Sequence, residues 1–309
     1  MIYEALYRSS YFTLYQAKKG VYAAVAVDGA GALGNAGIVD LGNHTLIFDT
    51  FQSPVAAALL KDAAKAITGK APSFVVNSHW HFDHVLGNQV FRESSIISTA
   101  TTREAMRELV PNFLQTVQHN RRYPVLLKKE ASATNDYQKR KELLQSASDA
   151  QHLADHIDDL ELTLPNMTVQ HDLCLYGTLR SAVIMNMGRC HSEEDVVLYL
   201  PEDGIVFAGD LISHCFHPAL KNGNIEQWMQ SLKRLSSLEA DIIVPGHGEI
   251  ALAQQVEEMR EYFSDLQRTA RIWKAWGEGM EEQAIPEKYK HWQGPSIYYD
   301  NLQMLSETK

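Results

Sequence analysis

Cysteine is scarce in this chain of 309 residues: Cys174, Cys190 and Cys215 are the only three, widely spaced and odd in number. They form no CxxC pair and are too few for a disulfide framework, so a small cross-linked secreted scaffold is excluded and a reducing compartment suits the sequence. Basic residues are the minority, 28 Lys and Arg against 38 Asp and Glu, for a formal net charge of −10. That balance argues against a protein that tracks a phosphate backbone, and no basic, aromatic-interleaved tract offsets it. No stretch approaches the roughly 18 uninterrupted apolar residues of a membrane span. The opening Met1-Ile2-Tyr3-Glu4-Ala5-Leu6 lacks a basic flank followed by an apolar run. The expectation is a cytoplasmic protein without nucleic-acid or membrane partners. Internal repeats and low-complexity segments are also missing.

What is present is enough apolar residue, 45% of the chain, to bury a sizeable core in one large embellished domain or two small ones. Apolar segments Val21 to Val27, Ala36 to Val39 and Thr45 to Phe48 read as an antiparallel opening to a sheet, the first two flanking a Gly-rich run. Ser53-Pro54 starts a helical pattern that Gly69 closes, with Ser as N-cap and Pro at the first helical position. Phe74 to Val76 is a short strand, and Val85 to Asn88 begin a helix behind the loop that follows it. From about Thr101 to Leu160 the chain turns polar and helical, clearest over Glu104 to Leu109 and Tyr137 to His156. Its charge clusters Arg121-Arg122 and Lys139-Arg140-Lys141 read as a solvated helix face. Strands resume at Met167 to Leu173, Ala182 to Met187, Asp195 to Leu200 and Ile205 to Phe207, the second sheet. A helix over Ile225 to Leu238 leads into a strand at Asp241 to Val244, and helix dominates beyond Gly248. Trp273, Trp276 and Trp292 in that last part are expected to pack rather than react. Hairpins outnumber βαβ units, so two sheets covered by helices suit the pattern better than a doubly wound parallel sheet.

The chemistry is concentrated in His79-Trp80-His81-Phe82-Asp83-His84. Four nitrogen and oxygen donors this close on a loop after a strand would repel one another or stay unsatisfied without a cation, and they suit Zn²⁺, Mn²⁺ or Fe. In an extended segment residues i and i+2 face the same side, so His79 and His81 can grip one ion while Asp83 and His84 turn toward a second. Six residues cannot complete two coordination shells. Three later segments place a donor just beyond an apolar strand in a Gly-containing turn: Gly188-Arg189-Cys190-His191, Phe207-Ala208-Gly209-Asp210 and Val244-Pro245-Gly246-His247-Gly248.

An early Asp, then HxHxDH, His, Asp and His in that order resembles the metallo-β-lactamase-like superfamily of metallohydrolases, over about Asn35 to Gly248. The resemblance implies an α/β (α+β) fold, a four-layer αββα sandwich of two mixed, mostly antiparallel sheets with helices on both outer faces. It implies a single domain over 1–309, with 101–160 as a helical insertion serving as a lid or dimer surface and 253–309 as a helical C-terminal extension. Carried over residue by residue, it implies that His79, His81 and His191 bind one metal, that Asp83, His84 and His247 bind the other, and that Asp210 bridges both. Asp49 matches the early acidic residue that supports the ligand loop. The implied cofactors are two divalent ions, zinc first, with Fe or Mn compatible.

The expected activity is hydrolysis of an ester, thioester, lactone or related bond of a small-molecule substrate by a metal-activated hydroxide, with no Ser or Cys nucleophile and with Asp83 or Asp210 handling protons. Many zinc β-lactamases of the superfamily carry Cys where this chain has Asp210, and Arg rather than His at the end of the first motif. The carboxylate-bridged set looks more like that of glyoxalase-type thioesterases and lactonases, although no Lys/Arg cluster near the C-terminus suits glutathione. Flavin-linked diiron relatives carry Glu where His81 stands. A mononuclear-iron sulfur dioxygenase keeps HxHxDH, and it and a β-lactamase are the alternatives. His214, His217 and Lys221, following Asp210, are the expected substrate contacts. Cys190 and Cys215 are expected to pack rather than ligate, and a homodimer is allowed.

Overall fold

The computed structural model describes residues 3–276 and 285–307. Within them the chain forms two sheets. The first holds β1 (Ala5–Arg8), β2 (Phe12–Lys18), β3 (Val21–Ala26), β4 (Ala36–Asp40), β5 (Thr45–Phe48), β6 (Phe74–Val76), β7 (Ser95–Thr99) and β8 (Met167–Val169), in that spatial order. Pairing is antiparallel from β1 to β5 and parallel from β5 to β8. The second holds β9 (Leu173–Tyr176), β10 (Ser181–Gly188), β11 (Asp195–Leu200), β12 (Ile205–Ser213), β13 (Ile242–His247) and β14 (Ala251–Leu252), in the order β14-β13-β12-β11-β10-β9. Only its β12–β13 pair is parallel.

The helices are α1 (Pro54–Thr68), α2 (Phe82–Val85), α3 (Ala100–His119), α4 (Tyr123–Ala133), α5 (Tyr137–His156), α6 (Ile225–Ser236), α7 (Gln254–Trp276) and α8 (Pro295–Glu307). No described helix is long and apolar enough to cross a membrane.

Strand alternation sorts the core into layers. Val21 and Ala23 of β3, with Phe48 of β5, meet Ile184 of β10, Leu198 of β11 and Phe207 of β12 between the sheets. Their neighbours Tyr22, Ala24 and Ile47 face outward onto Ala56, Leu60 and Ala64 of α1. On the far side Val197, Val206 and Ile243 pack against Trp228 of α6 and Phe263 of α7. The four-layer sandwich follows from that parity. Ser53 caps α1 by accepting from the Ala56 amide, and Gly69 ends it in the left-handed region at φ 72°.

Three expectations change in detail. The single strand expected over Met167 to Leu173 is divided: Met167–Val169 closes the edge of the first sheet and Leu173–Tyr176 opens the second. The helix expected at Val85 to Asn88 is a single α turn, α2, followed by a 3₁₀ turn over Leu86–Phe91. A Cβ on Gly87 would stand 1.9 Å from the Thr50 carbonyl oxygen, so the segment lies flat against the chain beneath it. Strands β1, β2, β7 and β14 are additions to the expected set. The polar stretch after Thr99 forms α3, α4 and α5 as expected, and α7 and α8 occupy the C-terminal part. Residues 277–284 and 308–309 of that part, and the Trp276 side chain, lie outside the described residues. Trp292 is buried and stacks on Tyr262, ring centroids 5.0 Å apart.

Candidate metal centre

The first donor loop leaves β6 at Asn77 and is held from below by Asp49, at the end of β5. Asp49 has a left-handed φ of 56°, which turns its carboxylate back under the loop. Its Oδ1 accepts from the Ser78 amide at 2.7 Å, and its Oδ2 accepts from Ser78 Oγ at 2.7 Å and from His84 Nδ1 at 2.9 Å. Ser78 Oγ also lies 2.9 Å from His79 Nδ1. Because Ser78 gives its proton to Asp49, His79 Nδ1–H donates to Ser78, and His84 Nδ1–H donates to Asp49. Both imidazoles therefore turn Nε2 to the centre.

The His191 loop follows β10 and is wrapped around the buried Asp195, which the sequence reading missed. Asp195 Oδ2 accepts from the amides of Cys190, His191 and Ser192 at 3.0, 2.8 and 3.0 Å, and Oδ1 from Ser192 Oγ at 2.8 Å. His191 Nδ1 donates to the Ala219 carbonyl at 3.1 Å, which turns its Nε2 inward to 2.9 Å from His81 Nδ1. Cys190 is buried, and burial raises its thiol pKa far above the ordinary range, as expected of a packing residue.

Asp210 lies within β12, which runs on to Ser213 rather than ending at Phe207. Gly209 at φ 50° coincides with an irregularity in the pairing with β13. His247 is the last residue of β13. A Cβ on the preceding Gly246 would stand 2.0 Å from Asp210 Oδ1, so only glycine lets this turn approach the carboxylate. Asn35 fastens the same turn to the first sheet, a second residue not anticipated. Its Nδ2 donates to the carbonyls of Pro245 at 2.9 Å and Gly248 at 2.8 Å, and its Oδ1 accepts from the Ala26 amide at 2.9 Å.

These loops bring together two donor groups, His79, His81, His191 and Asp210 in one and Asp83, His84 and His247 in the other, the ligand atoms of each lying within 4.8 Å of one another. Asp210 stands between them. Its Oδ2 is 3.2 Å from His191 Nε2, 3.4 Å from His247 Nε2 and 3.9 Å from His79 Nε2, and its Oδ1 is 3.2 Å from His84 Nε2. Asp83 Oδ2 is 3.3 Å from His247 Nε2 and 3.4 Å from His84 Nε2. His79 Nε2, His84 Nε2 and Asp210 Oδ1 are buried and make no hydrogen bond. Orphaned polar atoms of this kind carry a desolvation cost that a cation at their focus would offset. The donor set and its focus fit divalent ions.

The charges point the same way. Burial, with the neighbouring imidazoles, pushes His79 well below its ordinary pKa; burial lowers His81, and it lowers His191 to about 3. Burial opposes charge on Asp83 and Asp210, yet the facing His84 and His247 hold both well below the usual carboxylate range. Burial likewise opposes charge on those two imidazoles, but the carboxylates prevail, setting His84 well above its usual value and His247 at about 10. One side is a set of neutral lone pairs and the other a pair of carboxylates that keep positive charge beside them.

A sequence model described as the metallo-beta-lactamase superfamily matches residues 30–247, a span that includes all seven donors. The chain belongs to the metallo-β-lactamase superfamily. Solved metallo-β-lactamases share the fold. The DIM-1 enzyme exposed to ceftazidime is 18% identical with a TM-score of 0.57, covering 82% of this chain and 97% of its own. FIM-1 from Pseudomonas aeruginosa in its mono-zinc form gives 18%, 0.57, 82% and 95% for the same four measures. A metallo-β-lactamase from Erythrobacter litoralis with β-mercaptoethanol in the active site gives 16%, 0.59, 84% and 99%.

In this superfamily member the donors open onto a cleft of about 1030 Å³ that reaches from His81, Asp83 and His247 to the α4–α5 pair and the segment around Gly294. His214 and Lys221 are not among its described lining residues, and the His214 ring instead meets the Glu249 carbonyl at 3.1 Å. His217 does line it, but the residue is only 3% exposed, with Nδ1 2.9 Å from Tyr262 Oη and its ring among Trp292 and Tyr298. Cys215, with φ 61°, turns the chain after β12, and the segment beyond it meets the donors through Phe216, whose ring lies 5.8 Å from that of His247, and through the Ala219 carbonyl on His191.

Proposed function

We propose that the protein is a hydrolase with two divalent ions, zinc being the assigned metal. His79, His81 and His191 would hold one ion, Asp83, His84 and His247 the other, and Asp210 both. The observation that carries this reading is the convergence of seven donors, five of them buried, around the unbonded Nε2 atoms of His79 and His84 and Oδ1 of Asp210. Bound there, divalent cations would acidify water and polarise the oxygen of a scissile bond.

The remaining work falls to the chain's own residues. Asp49 and Ser78 fix the tautomers and ring planes of His84 and His79, and Ala219 does so for His191. Asp83 or Asp210, both of which line the cleft, would hold the proton taken from the attacking water. The cleft would admit a substrate with a body larger than its reacting group, and residues of α4 and α5 line it, which supports a lid rather than a dimer surface for residues 101–160. Carboxylic esters, thioesters and lactones are the substrate classes that the carboxylate-bridged donor set favours, inside a cytoplasmic setting. Because the structural neighbours are β-lactamases, a β-lactam is the second class to assay.

The test is metal analysis of the purified protein with turnover of lactones, thioesters, esters and β-lactams. Bound zinc with turnover of an acyl substrate supports the reading. Iron with oxygen uptake and no hydrolysis would replace it with the sulfur dioxygenase alternative.

A further inference from the structure

The α4–α5 hairpin is rich in positive charge. Between residues 121 and 142 it carries Arg121, Arg122, Lys128, Lys129, Lys139, Arg140 and Lys141 against Glu130, Asp136 and Glu142. Yet the cleft receives all three acids and only Lys139 of the bases. Asp28 and Asp149 add two more carboxylates to the same wall. Lys139 is spent on Glu130, Nζ to Oε1 3.4 Å.

The other four carboxylates are answered by neutral donors. Asp28 accepts from the side-chain amides of Gln145 at 3.0 Å and Gln293 at 3.3 Å. Asp136 caps α5 through the Lys139 amide, Glu142 accepts from Gln138 Nε2 at 2.9 Å, and Asp149 from the Gly31 amide at 2.8 Å. Among the described residues none of these four has an ion-pair partner. Neutral hydrogen bonds orient a carboxylate without cancelling its charge, so the wall, with Asp28 and Asp136 exposed, Glu142 half-buried and Asp149 buried, keeps a negative field over the cleft. The same cleft is lined by apolar side chains, Phe82, Tyr123, Leu127, Phe216 and Ile297.

We propose that this cleft selects substrates carrying a cationic group, an ammonium or guanidinium, on an apolar body remote from the bond that is cleaved. Anionic substrates such as glutathione thioesters, phosphorylated esters and carboxylate-bearing β-lactams are disfavoured. The inference rests on the metal-centre reading above, which places the reacting group at Asp83 and Asp210 and the remainder of the substrate against the acidic wall.

The test uses three hydroxamates with one metal-binding head and one alkyl chain, ending in trimethylammonium, its neutral tert-butyl isostere or carboxylate. Each is titrated calorimetrically into the metal-loaded protein. The cationic probe is expected to bind about tenfold more tightly than the neutral isostere, with the anionic probe weakest, and added salt should narrow the spread. Glu142→Gln and Asp149→Asn, checked for folding by thermal melting, should each shrink the cation advantage several-fold. Equal affinity for the cationic and neutral probes, or tightest binding of the anionic one, overturns the selectivity while leaving the metal centre standing. Failure of all three probes to bind a folded protein overturns the metal centre and this inference together.

Discussion

Replacing Asn35 with Ala should loosen the His247 turn from a distance. Asn35 is 3% exposed, and its side chain answers three backbone groups, the Ala26 amide and the Pro245 and Gly248 carbonyls, at 2.9, 2.9 and 2.8 Å. The bond to Pro245 is buried and the other two are part-buried, so the loss is about 1 to 3 kcal/mol in all. At roughly 2 cal/mol/K of unfolding entropy per residue, a chain this long should then melt about 2 to 5 °C lower. Because two of the three bonds flank His247, the variant should also bind the second metal about tenfold more weakly. Asn35→Asp should be at least as damaging, since a carboxylate oxygen would face the two carbonyls. Differential scanning calorimetry and competitive metal titration check both effects. A melting point within about 1 °C of wild type and unchanged metal affinity would refute the fastening role.

Asp49→Ala removes the acceptor for His84 Nδ1 and for Ser78 and should weaken metal binding about 10- to 100-fold, which a chelator competition would detect. Cys215→Ser should leave metal content intact, because no thiol belongs to either donor group. A change in stoichiometry measured by mass spectrometry would count against that assignment. Burial, with the nearby His291, lowers the folded-state pKa of His217 to about 4 from an ordinary 6.5. The unfolded chain therefore takes up this proton first, and the contribution of His217 is constant above about pH 6.5 and falls as pH drops toward 4. The loss is at most about 3 kcal/mol. Urea unfolding at pH 7 and pH 5 should show a smaller pH effect in His217→Gln than in wild type, and equal slopes would sink the argument.

The first donor loop is legible in the sequence because its meaning is local: four donors in six residues have few other uses. His191, Asp210 and His247 are legible only through their order along the chain, since a lone GH or GD has no chemical content. The layers could be anticipated from strand patterning, but the division of Met167 to Tyr176 between two sheets is decided by pairing with β7 and β10, which are remote from each other. Asn35 and Asp195 look like ordinary loop residues until folding supplies their backbone partners, some of them 210 positions away. His214, His217 and Lys221 are read as substrate contacts from their nearness to Asp210 along the chain; of the three, His217 lines the cleft while His214 and Lys221 are not among its described lining residues. The cleft is also lined by residues of α4 and α5, helices whose charged sequence reads as a solvated face.

The central claim is that seven side chains form one two-metal centre bridged by Asp210. Its most direct test is the metal content of wild type, His81→Ala and Asp210→Ala after zinc loading and dialysis, read by mass spectrometry alongside hydrolysis of the best substrate. Two ions per wild-type chain, with metal and turnover lost in both variants, is the predicted result. Asp210→Ala retaining two ions and full turnover would contradict it.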